Sequence, residues 1–323
     1  MTAEAVDLAI VGAGPAGLSA AREAVRSGVK RVVVLEREAE AGGTVRHCGH
    51  TGFGMLDLKR LATGPRYAAL LRELSRHLDI RTGHQVTAIE QGPSLAVSTP
   101  EGPRRIAARA VLVATGIREA PRAARLVSGG RPFGILTTGA LQRFVYLNGR
   151  LPCRRPIVVG SELVAFSSIL TLRHGGVRPL AILAEGRRAE AMAPVPQLAR
   201  LLYGVPVLRR ARPLRIEGRE IVTGLTIERE GHRETLDCDA VVFTGRWVPE
   251  ASLLRAHDVG IDPATGGPRV DARLCTSDPA IYAAGNVRFG VRASGRCALE
   301  GRAAGRQIAA DLAREAPHWR TKR

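Results

Sequence analysis

The chain has 323 residues, 48 Lys and Arg against 30 Asp and Glu, a formal charge of +18 and a pI near 11.1. Hydrophobic residues at 45% and charged residues at 24% are globular proportions, which exclude a disordered or fibrous chain. All but Lys30, Lys59 and Lys322 of the basic residues are arginine, scattered in pairs such as Arg104/Arg105 and Arg209/Arg210, and aromatics are only 4%. With neither a basic block nor stacking platforms, nucleic-acid binding is not expected; the charge points instead to association with an acidic partner.

In chain order, Val6, Leu8, Ile10 and Val11 predict a strand that runs into Gly12-Ala13-Gly14-Pro15-Ala16-Gly17. A helix follows from Leu18 to about Gly28, and a second strand, Arg31 to Leu35, closes on Glu36 with Arg37 beside it. This is strand, G-x-G-x-x-G, helix, strand, acid. Gly12 permits the tight turn, Gly14 lets the backbone approach a pyrophosphate, and Gly17 lets the helix pack on the strand. The helix N-terminus adds N–H donors and positive dipole for the phosphates. Glu36 stands 19 positions past Gly17, the spacing of a carboxylate for ribose hydroxyls. Gly43 and Thr44, after Gly42, extend the close backbone approach past the ribose, which points to FAD rather than NAD.

Further along, Val111-Leu112-Val113-Ala114-Thr115-Gly116 reads as a buried strand ending in a turn. Pro156 to Gly160 opens a second strand and helix, but there the glycine motif is broken: Gly160 remains, while Glu162 and Ala165 stand at the second and third glycine positions. A carboxylate at the second position repels a pyrophosphate, and a side chain there blocks the backbone approach. After the strand Pro179 to Leu183, Arg187-Arg188 is placed to read a 2′-phosphate, so NAD(P)H remains an open alternative for this region. Alternating runs from Arg212 to Leu236, with turns at Glu217-Gly218 and Glu230-Gly231, lead to a strand from Ala240 to Gly245. A turn, a short buried strand and Gly285-Asn286 precede a closing helix from about Gly295 to Leu312.

No apolar run approaches a membrane span, and no signal peptide is visible at the N-terminus. The five cysteines are widely spaced without C-x-x-C, a reduced, cytoplasmic pattern. His47, Cys48 and His50 lack a second ligand pair at metal spacing, so no metal site is expected.

Taken together, the first glycine loop, the Ala114-Thr115-Gly116 strand end and the final Gly285-Asn286, in that order, resemble the flavoprotein disulfide reductase superfamily with two dinucleotide-binding domains. The resemblance spans essentially the whole chain. It implies an α/β fold of two Rossmann-like three-layer domains: a discontinuous FAD-binding domain, 1–119 and 275–323, and an inserted NAD(P)-binding-like domain, 120–274, with a degenerate glycine motif. It also implies FAD contacts from Gly12, Gly14, Pro15, Ala16, Gly17, Glu36, Arg37, Gly43, Thr44, the Val86 backbone at the adenine, Thr115, Gly116, Gly285 and Asn286. The family carries Asp where Asn286 stands. The N–H groups near Arg296 and Cys297, at the start of the closing helix, would face the flavin pyrimidine edge.

Members of the superfamily that reduce disulfides carry a cysteine pair, either after the second glycine pair or in the middle domain. Here Val45 and His50 occupy the first pair of positions, so a dithiol relay is not expected. Arg46-His47-Cys48-Gly49-His50-Thr51-Gly52-Phe53-Gly54, Thr63-Gly64-Pro65-Arg66-Tyr67 and Arg131-Pro132-Phe133-Gly134-Ile135-Leu136-Thr137-Thr138-Gly139-Ala140-Leu141-Gln142 resemble a different subgroup. It comprises FAD subunits of heteromeric amine, imino-acid and opine dehydrogenases, similar to those of hydrogen cyanide synthase and opine oxidase and to the sarcosine oxidase alpha region. That resemblance implies a substrate-oxidising partner dehydrogenase subunit, and an iron–sulfur centre, where one is present, on another subunit. His47 and His50 are the catalytic candidates, as hydrogen-bond donors to flavin or as acid/base groups. Two other functions stay open: a self-contained NAD(P)H-dependent flavin or ferredoxin reductase, and a non-catalytic nucleotide-binding scaffold.

Overall fold

The computed structural model describes residues 4–315. By internal contact the chain divides into two units, one of residues 1–46, 51–118 and 248–323, the other of residues 47–50 and 119–247. The chain returns to the first unit at Val248, ahead of position 275. The reason is packing: Ala251, Leu254 and Val259, on and around the short helix Ser252–Ala256, are buried in the first unit's core with Val86, Ile89 and Val287.

In the first unit the strand Glu4–Val11 lies parallel between Val32–Leu35 and Gly102–Val113, with Val11 opposite both Leu35 and Val113. Asp79–Arg81 extends the sheet beyond Val32–Leu35. The long strand Gly102–Val113 serves two neighbours. Its first part pairs antiparallel with Ser94–Thr99, which turns back on Gln85–Glu90, and its last residues pair parallel with Ile281–Ala283. Val32 to Leu35 and Ile281 to Ala283 are buried throughout, as expected for strands covered on both faces.

Two helices lie close together beside this sheet. Pro15–Arg26 carries Pro at its first turn, where a missing N–H costs nothing, and buries Ala16, Leu18, Ala20, Ala21 and Ala24. The closing helix Ser294–Glu315 runs against it through Gly301 and Gly305. A methyl group at either glycine would collide with the Ala16 or Ala20 carbonyl oxygen, so small residues set the interaxial distance.

The second unit holds a parallel sheet ordered Ile135–Thr137, Ala240–Phe243, Pro156–Val159, Ala181–Ala184, Val207–Arg209. The helix Leu163–His174 packs on it through Ala165, Phe166, Ile169 and Leu172, beside Val158, Ile182 and Val242. Ala211–Glu217, Gly224–Arg229 and His232–Asp237 form an antiparallel meander, with turns at the two Glu-Gly pairs singled out in the sequence. Both units therefore have the expected Rossmann-like α/β form. No helix among the described residues is long and apolar enough to cross a membrane.

Candidate functional site

The glycine loop of the first unit leaves the strand end at Val11 and is tied down on three sides. Gly12 N–H donates to Leu35 O (2.8 Å), Ala114 N–H to Val11 O (2.9 Å), and Gly42 N–H to Ala13 O (2.8 Å). Gly12 has φ +103°, and a Cβ there would stand 2.6 Å from the Ala114 carbonyl oxygen. A Cβ at Gly17 would overlap the Gly12 carbonyl, which holds the helix start against the strand end. Gly14 and Gly43 face each other backbone to backbone, since a Cβ on Gly43 would lie 2.9 Å from Gly14 Cα. The first intrahelical bond is Leu18 N–H to Gly14 O, which leaves the Ala16 and Gly17 N–H groups at the open end of the helix. No acidic side chain occupies that first turn.

Glu36 is 7% exposed and sits at the mouth of this loop. Its Oε2 accepts from Ala13 N–H (2.9 Å) and its Oε1 from Glu38 N–H (3.0 Å). The carboxylate thus braces the loop it was expected to serve, and each oxygen keeps a further lone pair for a hydroxyl donor. Val86 lies two residues past His84, whose N–H donates to Glu36 O (2.9 Å), so its strand begins beside the carboxylate. Arg37 and Thr44 are exposed at the same end. Thr115 and Gly116 brace the returning chain instead: Thr115 Oγ1 donates to Glu250 O (2.6 Å) and Glu250 N–H to Gly116 O (2.9 Å).

The far end of the chain comes back to the loop at Gly285. A Cβ there would lie 2.8 Å from Ala16 Cβ and 3.7 Å from Cys297 Cβ, so the N-termini of the two long helices converge around it. Gly285 N–H donates to Glu300 Oε2 (2.6 Å), and Glu300 in turn pairs with Arg288. Asn286 closes the following loop: its Oδ1 accepts from Arg292 N–H (2.9 Å) and from the Cys297 thiol (3.2 Å). That role needs an acceptor and tolerates Asn without a charge. Burial pushes the Cys297 thiol up to about 11, which keeps it protonated and unreactive. The N–H groups of Arg296 and Cys297 both donate to Ala293 O (2.9 and 3.2 Å). The donors left at this helix start are those of Ser294 and Gly295, just ahead of the pair the sequence pointed to.

Beside Gly295 lies a group that sequence reading passed over. Asp57 is 8% exposed; its Oδ2 accepts from the fully buried Tyr67 hydroxyl (2.7 Å), and its Oδ1 is buried with no hydrogen-bond partner. No local pattern marks Asp57, because its partner is ten residues away and its neighbour Gly295 is at the other end of the chain.

His47 and His50 fold with the second unit. His47 is buried with Nδ1 3.3 Å from Gln142 Oε1, and the Cys48 thiol donates to the same oxygen (3.6 Å). Burial, helped by the Glu119 charge, pushes the Cys48 thiol up to about 12. Glu119, whose Oε2 accepts from Gly139 N–H (2.7 Å), is itself raised by burial. Gly49 admits no side chain because the Tyr146 ring lies against it. The His47–His50 segment is therefore a packed polar cluster around Gln142, the last residue of the stretch that carries the subgroup resemblance, and Glu119, which the sequence did not mark. None of the five cysteines is in a disulfide. Among the described residues no group of His, Cys, Asp or Glu is arranged to hold a metal.

The second unit's own loop is filled from within. Glu162 is the N-cap residue of the helix Leu163–His174, and its carboxylate lies 3.0–3.2 Å from where a Gly245 Cβ would stand and 2.9 Å from that of Gly160. Thr244 hydrogen-bonds it, Arg125 lies near, and Oε1 has no hydrogen-bond partner. Burial raises the Glu162 carboxyl above its ordinary range. Arg125 is fixed in place by donating to Gly245 O (2.8 Å) and lying 5.2 Å over the Phe243 ring. Arg187 and Arg188 are exposed.

Two helix starts, a bare glycine cradle with free N–H donors and a buried carboxylate at its mouth fit an elongated dinucleotide such as FAD. Comparison with known proteins agrees. The sarcosine oxidase alpha subunit of Corynebacterium sp. (strain P-1) is 31% identical over 182 residues, 53% of this chain and 18% of that protein. The chain thus spans about a fifth of the length of that relative. An opine oxidase subunit of Rhizobium meliloti (strain 1021) is 25% identical over 95% of this chain and 72% of its own. A ferredoxin–NADP reductase of Saccharopolyspora erythraea is 28% identical, covering 87% and 85%. The thioredoxin reductase of T. acidophilum superposes with a TM-score of 0.79 at 24% identity, over 95% of this chain and 99% of that one, and shows the same fold. A family profile matches from the first strand to the last turns of the closing helix, residues 6–309, through both units, so the chain belongs to the pyridine nucleotide-disulphide oxidoreductase family and is an FAD-dependent oxidoreductase.

Proposed function

We propose that this chain is the FAD-binding subunit of a heteromeric dehydrogenase, receiving electrons from a partner that oxidises an amine, imino-acid or hydroxy-acid substrate. The observation that carries this reading is Glu162. Its carboxylate fills the turn where the second nucleotide's phosphates would approach, so the usual hydride donor of the family lacks a seat in the second unit. The absence of a disulfide or C-x-x-C pair fits the same reading.

The FAD domain in this proposal is the unit of 1–46, 51–118 and 248–323, with the cofactor held by the Gly12–Gly17 loop, Glu36, Gly43, Gly285 and Asn286. Bound there, FAD supplies two-electron redox chemistry, while the protein orients it and sets the charge around it. The Ala16 and Gly17 N–H groups meet the phosphates, Glu36 accepts ribose hydroxyls, and the helix start at Ser294 and Gly295 faces the far end of the cofactor. The positive net charge supports an acidic partner surface, and an iron–sulfur subunit would take the electrons onward.

The experiment is co-expression with the products of neighbouring genes, followed by purification through this chain alone. The expected result is a stable complex whose flavin bleaches with an amine or hydroxy-acid substrate, while the isolated chain does not respond. A monomer that turns over substrate without a partner would contradict the proposal.

A second reading is a self-contained NAD(P)H-dependent reductase, favoured by the likeness to a ferredoxin–NADP reductase over 85% of that protein's length. It requires the Glu162 carboxylate to leave the turn it fills.

A further inference from the structure

The second unit carries a feature that nucleotide binding does not use. Its parallel sheet is covered on one side by the antiparallel meander and on the other by helices. One of these, Val195–Tyr203, is nine residues long and buries Pro196 and Ala199 against the sheet. Its opposite face holds Leu198, Leu201 and Leu202, at the i, i+3, i+4 spacing of a single ridge. Leu201 is 81% exposed and Leu202 60%. Met192 stands one turn ahead, its carbonyl accepting from Val195 N–H (3.1 Å), and its side chain is 83% exposed.

A surface helix ordinarily turns charged or polar residues to water. Here three leucines take that place, and Gln197 and Arg200 stand on one flank of them. The neighbouring helix Leu163–His174 leaves Leu170 exposed as well, and its Arg173 guanidinium lies 5.0 Å over the Tyr203 ring, which joins the two helices. Exposed apolar residues are ordinary when single. A leucine ridge at helical spacing on a packed helix, with methionine beside it and arginine at its rim, has the make-up of a protein interface.

The charge says what covers it. From Ala120 to Ile216 the chain has sixteen arginines, no lysine and three acids, which is most of the net +18. One of the three, Glu162, is turned inward against Gly160 and Gly245. No acid stands from Leu163 to Ala184 or from Ala191 to Ile216, the stretches that hold both helices, whereas Arg173, Arg178 and Arg200 do. A second copy of the chain would set this basic rim against itself, which like charges oppose. An anionic membrane matches the charge, but the ridge has no Trp or Tyr of the kind that anchors interfacial helices. We propose that the Leu198, Leu201 and Leu202 ridge, with Met192, is the docking face for the partner dehydrogenase subunit, and that the partner's patch is apolar at its centre and rimmed by Asp and Glu. This rests on the reading of the chain as a subunit and adds where the partner sits.

The test uses the full chain co-purified with the products of neighbouring genes. Amide hydrogen exchange across residues 192–203 should slow in the wild-type complex relative to the chain alone, a readout that needs no variant. Protection elsewhere with unchanged exchange at 192–203 would overturn the docking face and leave the subunit reading standing. Leu201→Glu places a charge in the apolar centre and should weaken association by at least about a hundredfold, and Leu201→Ala by roughly tenfold. Leu201 is exposed in the isolated chain, so flavin content and melting temperature should not change. Arg200→Glu should weaken association less than Leu201→Glu and reduce its salt dependence. Wild-type affinity in Leu201→Glu would sink the proposal. So would a dimer of the isolated chain that Leu201→Glu dissolves, or binding to phosphatidylserine vesicles that it abolishes, because each names a different occupant. A wild-type chain that captures no partner overturns the subunit reading, and the docking face with it.

Discussion

The two units each contain a strand, a turn and a helix of the kind that receives a nucleotide, and they differ at two of the three glycine positions. In the first, Gly14 and Gly17 leave the helix start bare, and the buried carboxylate, Glu36, stands aside at the ribose position with both oxygens bonded to backbone N–H groups. In the second, Glu162 and Ala165 replace those glycines, and the carboxylate lies against the strand-end turns at Gly160 and Gly245, bonded by Thr244 and capping no helix N–H. A helix N-terminus attracts an anion whichever molecule supplies it. The first unit leaves the turn beside its helix start to a ligand; the second fills that turn with its own carboxylate.

The largest effect should come from emptying the second turn. Replacing both residues, Glu162→Gly with Ala165→Gly, removes a juxtaposed like charge worth several kcal/mol, so NADH or NADPH affinity should rise by at least about a hundredfold. Titration calorimetry reads it, and no gain would show that some other feature closes the site. The converse change in the first unit, Gly17→Val, drives a side chain into the Gly12 carbonyl. Overpacking of this kind predicts a loss of roughly fiftyfold in FAD affinity, seen as flavin absorbance lost per protein.

A milder change sharpens the contrast between the two carboxylates. Glu36→Gln leaves one of its backbone donors facing an amide NH2 and weakens the ribose acceptor, for a loss of roughly tenfold in FAD affinity. Glu162→Gln should act on stability instead. Burial raises this carboxyl above its ordinary 4.5, so ionising it destabilises the fold. The wild type therefore loses stability as pH rises from 4.5 through the folded value, and stays at that lower level above it. Glutamine cannot ionise, so the variant should melt about 2–4 °C higher at neutral pH, for a gain near 1 kcal/mol, with the difference vanishing below 4.5. The smallest effect belongs to the surface. Arg212→Ala breaks an exposed ion pair with Glu228 (2.6 Å) and should leave the melting temperature essentially unchanged.

The contrast between the loops was legible in the sequence because it is local. Strand, glycines and acid fall within one βαβ unit, and a broken motif announces itself by the residue standing in a glycine's place. The meander around Ala211–Asp237 was equally readable from its alternation and its two Glu-Gly turns. What sequence reading passed over is non-local. Asp57 lies against Gly295, Gly285 is held by Glu300, and His47 by Gln142, 95 residues away. The Gln85–Thr99 hairpin was also missed, and the return to the first unit was placed late, because the segment after Val248 belongs to the core of a sheet begun at Glu4. The histidines show the same limit: their spacing was visible, but the burial of His47 against Gln142 follows only from the fold.

The most direct test of the central claim is anaerobic addition of NADH and of NADPH to the FAD-loaded chain, followed by flavin absorbance. With Glu162 filling the second turn, the expected result is one FAD per chain and no bleaching by either nucleotide on the seconds timescale, against rapid bleaching once a substrate-oxidising partner and its substrate are supplied. Rapid bleaching by NADH or NADPH alone would contradict the account.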